Sequence, residues 1–359
     1  MTTNVTPEYK KAKEAFKAAR DTLERLSCLK EMLRTIPKHK GTEHLQADIK
    51  TRMRNLTEEL SGPKKGGTRT GPATTIPPEG AAQIALLGPP NSGKSSLHAK
   101  LTGSRAEAGP YPYTTHQPLP GMLPHQDIHF QLIDLPPISA DYMEPWLPNA
   151  IQPASAALLV VDLGLAGCIE NVAAIRERLE QKKITLVDDW TGRLPRGYIG
   201  TPPSVEAPLD KAAPAREDGS DDLDDPFRLY LPTILVAAKS DVNTDLDEIG
   251  ILEDLIGIRY PAIAVSAKTE ANLEMIGQLL FRGLGIVRVY TKIPGRPADM
   301  GTPYTVLAGG TVLDVARLVH REIAASLKYA RIWGSSKFGG QQVGRDHVVR
   351  DGDVLELHS

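Results

Sequence analysis

Gly88-Pro89-Pro90-Asn91-Ser92-Gly93-Lys94-Ser95 is the stretch that decides the fold. A Gly, four residues and then Gly-Lys-Ser is the spacing of a phosphate-binding loop. The apolar run Ile84-Ala85-Leu86-Leu87 stands before it as a buried strand, and Ser96 to Leu101 continues with helix-compatible residues. Strand, loop and helix are therefore present in the order that the chemistry requires. Gly88 and Gly93 can take backbone angles closed to other residues, so successive N–H groups converge on phosphate oxygens beside a positive helix N-terminus. Lys94 neutralises β- and γ-phosphates in this reading, and the Ser95 hydroxyl faces a Mg²⁺ that bridges them. Gly88, Asn91, Ser92, Gly93, Lys94, Ser95 and Ser96 are thus the candidate phosphate contacts.

Composition sets the frame around this loop. The 359 residues are 41% hydrophobic, enough for more than one domain with a real core. Lys plus Arg is 42 against 44 Asp plus Glu, a formal charge of -2, so no global basic field advertises nucleic acid. Two cysteines, Cys28 and Cys168, are too few for a disulfide framework or a cysteine metal cluster and fit a reducing compartment. No apolar stretch approaches transmembrane length and the N-terminus lacks the apolar core of a signal peptide. A cytoplasmic protein without a membrane partner is expected.

Upstream, residues 7–60 carry apolar positions at helical spacing, interrupted by Pro37-Lys38-His39-Lys40-Gly41. A helical hairpin over 1–61 is expected, its basic turn either an RNA contact or a solvated face. Gly62 to Gly80 has the Gly/Pro/Thr/Lys composition of a linker. The nucleotide domain follows over 81–286, with strands at Ile128–Ile133, Ala156–Leu163, Thr233–Ala237 and Pro261–Val265 and a helix at Asn171–Lys182. Residues 190–228, with the acidic run Asp221-Asp222-Leu223-Asp224-Asp225, read as an irregular insertion.

Three strand ends carry further chemistry. Ile128–Ile133 closes on Asp134, a carboxylate that can hold Mg²⁺ through a water. The next pair closes on Ala238-Lys239-Ser240-Asp241 and Ser266-Ala267-Lys268, where open α/β sheets place ligand loops. An Asp at 241 can accept from the N1–H and 2-amino group of guanine, a pattern adenine lacks. The Lys239 stem can cover the base, and backbone N–H groups at Ala267 can meet the guanine O6. Beyond Val287 the alternation of Val287-Arg288-Val289-Tyr290-Thr291, a capped helix starting at Thr311, and strands at 330–333 and 353–357 make a small α+β module over 287–359.

With Gly-Pro-Pro-Asn-Ser-Gly-Lys-Ser-Ser, Tyr-Pro-Tyr-Thr-Thr and Ile-Asp-Leu-Pro in residues 88–136, Val-Tyr-Thr-Lys at 289–292, Lys-Tyr-Ala-Arg-Ile-Trp-Gly at 328–334 and Val-Gly-Arg-Asp-His at 343–347, the chain resembles the Drg branch of the Obg-like GTPases. The resemblance implies an α/β fold: a doubly wound P-loop GTPase sheet, an N-terminal helical hairpin and a C-terminal ubiquitin-like β-grasp (TGS) domain. It implies GTP and GDP as ligands with slow hydrolysis, association with ribosomes or RNA, and a stabilising partner protein. By the same resemblance Thr115 is the Mg²⁺-binding switch threonine, a catalytic position together with Lys94, so Ser95, Thr115 and Asp134 form the metal set. Asn91 matches the asparagine that helps hold K⁺ near the phosphates in related GTPases, and Ile138 stands where Ras-like enzymes keep a water-orienting glutamine.

Two positions depart from the family pattern. Asp134-Leu135-Pro136-Pro137 replaces Asp-Leu-Pro-Gly, and proline has no N–H to offer the γ-phosphate. A hydrogen bond to a charged group is worth about 1.5–3 kcal/mol, so its loss erodes the expected GTP-over-GDP discrimination by roughly tenfold or more. Ala238 replaces the asparagine of the guanine motif, removing a contact to the base and to the phosphate loop. Two functions therefore compete: a slow GTPase, and a non-catalytic adaptor that keeps the fold for RNA or protein binding.

Overall fold

β1 (Gln83–Leu87) is buried at all five positions and lies in the interior of the larger sheet of the protein, between two parallel neighbours, seen in a computed structural model. The structure describes residues 7–19, 22–36, 43–60, 76–104, 117–192, 194, 197–199, 225, 227–242, 247–336 and 338–359. Tyr111–Thr115, the basic turn at 37–41, most of the linker and most of the 190–228 insertion lie outside them. The chain divides into two compact units. The first holds α1 (Pro7–Ala18), α2 (Thr22–Thr35) and α3 (Glu43–Leu60), with Tyr9, Leu29, Met32, Ile49 and Phe227 in its core. The expected hairpin is thus three helices. The chain leaves α1 at Ala19, whose carbonyl accepts from Arg25 Nε at 2.9 Å.

The second unit begins with β1, α4 (Lys94–Thr102), β2 (Leu119–His125), β3 (Ile128–Asp134), α5 (Leu147–Ile151), β4 (Ala156–Val161), α6 (Cys168–Glu180) and β5 (Ile184–Val187). It continues with β6 (Gly197–Tyr198), β7 (Leu229–Ala237), α7 (Asp247–Ile256), β8 (Pro261–Ala264) and α8 (Leu273–Gly283). Among the described residues the strands run in the order β2-β3-β1-β4-β7-β8-β6, with β5 beside the start of β7. Every pair is parallel except the β2–β3 hairpin. Alternate side chains of the continuous apolar runs serve the two faces. Ala85, Leu87 and Leu159 pack with Leu147, Ile175 and Leu252 from α5, α6 and α7 on one side. Ile84, Leu86 and Leu158 pack with Leu97, Met275 and Leu279 from α4 and α8 on the other. The sheet is doubly wound. Parallel strands of this kind carry their ligand loops at the C-terminal edge, where β1, β3, β4, β7 and β8 all end.

β2, with Pro120 and Pro124, sits at the sheet edge, where the missing proline N–H costs no ladder bond. Within the stretch expected to be irregular, Gly197–Tyr198 adds a short edge strand and Trp190 enters the core.

The C-terminal part is a five-stranded sheet in the order β10-β9-β13-β11-β12, formed by β9 (Ile286–Thr291), β10 (Asp299–Leu307), β11 (Tyr329–Trp333), β12 (Gln341–Val343) and β13 (Asp353–His358). α9 (Val312–Val319) and α10 (Arg321–Ser326) complete it. α9 opens with the expected capping box, in which Thr311 and Asp314 bond reciprocally. His320 is extended (φ -166, ψ 139), which divides the helix that starts at Thr311 in two and leaves Val319 and Ile323 only half-buried. Arg288 of β9 binds Asp351 at 2.7 Å and, across to the β2–β3 turn, Asp127 at 2.8 Å. The Tyr290 hydroxyl also donates to Asp127. The small sheet is therefore tied to the β2–β3 hairpin of the large one.

Candidate functional site

The segments that follow β1, β3, β4, β7 and β8 meet at the C-terminal edge of the large sheet. The loop after β1 wraps the Lys94 side chain. Lys94 Nζ donates to the carbonyls of Gly88 at 3.0 Å and Pro89 at 2.8 Å and lies 3.4 Å from Ser92 Oγ. The two glycines are required by geometry. A Cβ at Gly88 would stand 2.2 Å from the Val160 carbonyl, and Gly93 caps α4 at φ 94. Asn91 takes φ 60, leaves its side chain exposed and turns its carbonyl towards Lys239. Burial pushes the Lys94 ammonium down to about 8, an effect that Asp134 partly offsets.

Asp134 ends β3 beside the loop. Its Oδ2 accepts from Ser95 Oγ at 2.7 Å, while Oδ1 is buried and has no hydrogen-bond partner among the described residues. A buried orphan carboxylate oxygen next to a serine hydroxyl fits a hard cation that takes oxygen ligands. Thr115, the third expected member of the metal set, lies outside the described residues. Behind this pair His98 is fully buried. Its Nδ1 faces Ser104 Oγ at 3.2 Å, and burial lowers its basicity.

On the base side, Asp241 Oδ1 accepts from Ser266 Oγ at 2.6 Å, and Ser266 Oγ in turn accepts the amides of Lys268 at 3.2 Å and Thr269 at 3.1 Å. The bond from Ser266 holds the Asp241 carboxyl below its usual range. Lys268 Nζ stands 3.8 Å from Asp241 Oδ2. Gly93, Ser96, Lys239, Asp241, Ala267 and Lys268 line one cavity of about 650 Å³. The structure thus brings Gly93 and Ser96 of the phosphate-side candidates to one opening with Lys239, Asp241, Ala267 and Lys268, whereas Gly88, Asn91, Ser92, Lys94 and Ser95 do not line it. Its size suits a small organic ligand.

The two departures have visible consequences. Pro136, Pro137 and Ile138 are buried, Ile138 completely, within the core under α5 and α6. The first amide after Pro137, that of Ile138, donates to the Gly88 carbonyl at 3.2 Å. Ala238 is buried, and its Cβ would lie 3.6 Å from a Cβ built on Gly93. Sequence reasoning passed over Asp162, which follows β4 and binds Lys239 Nζ at 2.7 Å. The signal was present: like Asp134, it is a carboxylate closing a buried apolar run.

Residues 83–188 match a family model described as a 50S ribosome-binding GTPase, and residues 287–359 match the TGS domain. An uncharacterized GTP-binding protein of Methanocaldococcus jannaschii is 28% identical over 93% of this chain and 92% of its own. The developmentally-regulated GTP-binding protein 2 homolog of Dictyostelium discoideum is 25% identical over 91% of this chain and 96% of its own, and its namesake in Mus musculus is 25% identical over 93% and 98%. The Schizosaccharomyces pombe YchF GTPase shares the fold at a TM-score of 0.50, with 14% identity over 79% of this chain and 99% of that one. The chain thus carries a P-loop GTPase domain and a C-terminal TGS domain, and over nearly its full length it is similar to the developmentally-regulated GTP-binding (Drg) proteins.

Proposed function

We propose that the protein binds GTP and GDP with Mg²⁺ at this site, hydrolyses GTP slowly, and associates with ribosomes or RNA in the cytoplasm according to its nucleotide state. The observation that carries the proposal is the single cavity shared by the Gly93 end of the phosphate loop and the Asp241 carboxylate. A molecule with phosphates at one end and a guanine-like edge at the other would use both. Gly88 to Ser96 hold the phosphates, Lys94 balances their charge, and Ser95, Asp134 and Thr115 hold the metal. Bound Mg²⁺ supplies charge neutralisation at the phosphate oxygens. Asp241 reads the base, Ala267 and Lys268 border it, and Lys239 covers it. Asn91 helps hold a K⁺ beside the phosphates in this reading. The TGS domain and the description of the matching family model support the ribosome or RNA association, with a stabilising partner protein as a further component.

A second reading, an adaptor that binds nucleotide without turning it over, is favoured by one specific arrangement. Pro137 offers no N–H, and the Ile138 amide is already engaged by Gly88. Single-turnover GTP hydrolysis with Mg²⁺, in K⁺ and in Na⁺, with and without ribosomes, separates the two. Turnover faster in K⁺ is expected of the slow GTPase. Bound GTP that survives intact under all four conditions makes the protein an adaptor. Co-sedimentation with ribosomes that is unchanged by removal of residues 1–61 and 287–359 together would count against the association proposed for those regions.

A further inference from the structure

We infer that Asp162 is a positioning residue of the nucleotide site: acting through Lys239, it holds the phosphate loop and the base-reading loop in register, the task for which Ala238 lacks a side-chain amide. The inference rests on the guanine-nucleotide reading above and adds a residue to it.

Asp162 follows β4, whose six residues are all buried, so its backbone is fixed. Its Oδ1 accepts the Gly164 amide at 3.1 Å, which orients the carboxylate. Oδ2 is left to face Lys239 Nζ at 2.7 Å. The same ammonium donates to the Asn91 carbonyl at 3.0 Å. One charged group therefore joins the end of β4, the phosphate loop and the end of β7. Lys239 takes a left-handed backbone (φ 61), a conformation that a non-glycine residue keeps only where its surroundings hold it. Two such ties are visible: the Val242 amide donates to the Lys239 carbonyl at 2.9 Å, and the Ser240 amide donates to the Val265 carbonyl at 3.1 Å. Asp241 lies between those two donors. Movement of Lys239 therefore shifts the base-reading carboxylate against the phosphate cradle.

Ala238 makes this tie matter. A side chain carrying an amide at 238 would reach across to the phosphate loop, since the Ala238 Cβ already approaches the Gly93 position. A methyl group cannot. The Asp162–Lys239–Asn91 chain makes the equivalent crossing one residue later. Asp162 is not among the residues lining the cavity, whereas Lys239 is, so Asp162 acts through the lysine. Its side chain is 12% exposed against 45% for Lys239, so the bond is sheltered on one side only and its effect is moderate.

The test is the dissociation rate of fluorescent GDP and of a fluorescent non-hydrolysable GTP analogue from the full-length chain. Asp162→Asn keeps an oxygen for Gly164 and removes the charge facing Lys239. Both nucleotides should leave roughly threefold to tenfold faster, and to the same extent, because the tie lies on the base side of the phosphates. In an Ala238→Asn background the same substitution should change the rates by less than about twofold, a rescue that a general folding defect would not give. Wild-type protein that binds guanine nucleotide, with rates unmoved by Asp162→Asn, would overturn the inference alone, as would equal effects in both backgrounds. Wild-type protein that binds no guanine nucleotide would overturn the reading of the site, and this inference with it.

Discussion

The backbone amide of Ile138 donates to the carbonyl of Gly88 at 3.2 Å, so the residue after Pro137 is bonded to the first residue of the phosphate loop. Gly88 O also receives Lys94 Nζ. The loop that follows β3 is thereby drawn onto the cradle by backbone and apolar contacts, with no N–H at Pro137 to distinguish a γ-phosphate from its absence. Pro137→Gly should supply that donor. The ratio of GTP to GDP affinity, measured by competition, is expected to rise roughly tenfold. An unchanged ratio would mean that this loop does not sense the terminal phosphate.

Asp134 carries a buried oxygen that no described residue satisfies. If that oxygen serves the metal, Asp134→Asn should leave nucleotide binding without Mg²⁺ nearly intact and reduce the tightening caused by Mg²⁺ by roughly tenfold or more. Equal losses with and without Mg²⁺ would place Asp134 in the support of Ser95 alone.

Lys94 gives the site a pH dependence whose sign is fixed by its burial. In the free protein its ammonium titrates at about 8. Phosphate oxygens favour the charged form, so the complex holds the proton to higher pH than the free protein does. Above about pH 8 the complex therefore carries more protons, and affinity falls as pH rises, approaching about tenfold per pH unit. Below that value the affinity should be flat. Nucleotide titrations between about pH 6.5 and 9.5 test this, and the slope should vanish in Lys94→Met.

Arg288 binds Asp127 and Asp351 while its side chain is only 17% exposed. Arg288→Met removes the charged partner of both carboxylates at the junction of the β2–β3 hairpin and the TGS sheet, leaving Asp127 the Tyr290 hydroxyl and Asp351 the backbone amide at 288. A loss of about 1–3 kcal/mol is expected, which lowers the melting temperature by roughly 3–8 °C. A change below 1 °C, or about that, would show the junction to be solvated and weak.

The basicity of His125, beside Arg288, is lowered by burial and then by that guanidinium, with Asp127 opposing. A histidine depressed in the folded state contributes stability that is present above its unfolded value, about 6.5, and lost as pH falls. Thermal stability should therefore decline from about pH 6.5 downwards, and His125→Gln should flatten that decline.

Much of this was legible because the chemistry sits where apolar runs stop. Lys94 and Ser95 follow the run that becomes β1, Asp134 closes β3, and Asp241 and Ser266 follow β7 and β8. A buried parallel strand must be continuously apolar, so its end is marked by composition alone. Asp162 bears the same mark after β4, but its partner Lys239 lies 77 residues on, and one sequence does not register such pairing. β2 was hidden by Pro120 and Pro124, which break the alternation and are tolerated only because the strand is an edge. The break at Ala19 was hidden for the opposite reason, since Lys17-Ala18-Ala19-Arg20 favours helix throughout. β10 was obscured by Gly301 and Pro303, and its pairing with β9 shifts register there.

The central claim is that one cavity takes both phosphates and guanine. Calorimetric titration of the full-length chain with GTP, GDP and ATP in Mg²⁺ tests it most directly. GTP and GDP should bind within about tenfold of each other, because Pro137 blunts their discrimination, and ATP should bind more weakly by at least two orders of magnitude or so, because adenine meets Asp241 with the wrong hydrogen-bonding edge. ATP binding as tightly as GTP, or no heat with any of the three, would contradict it.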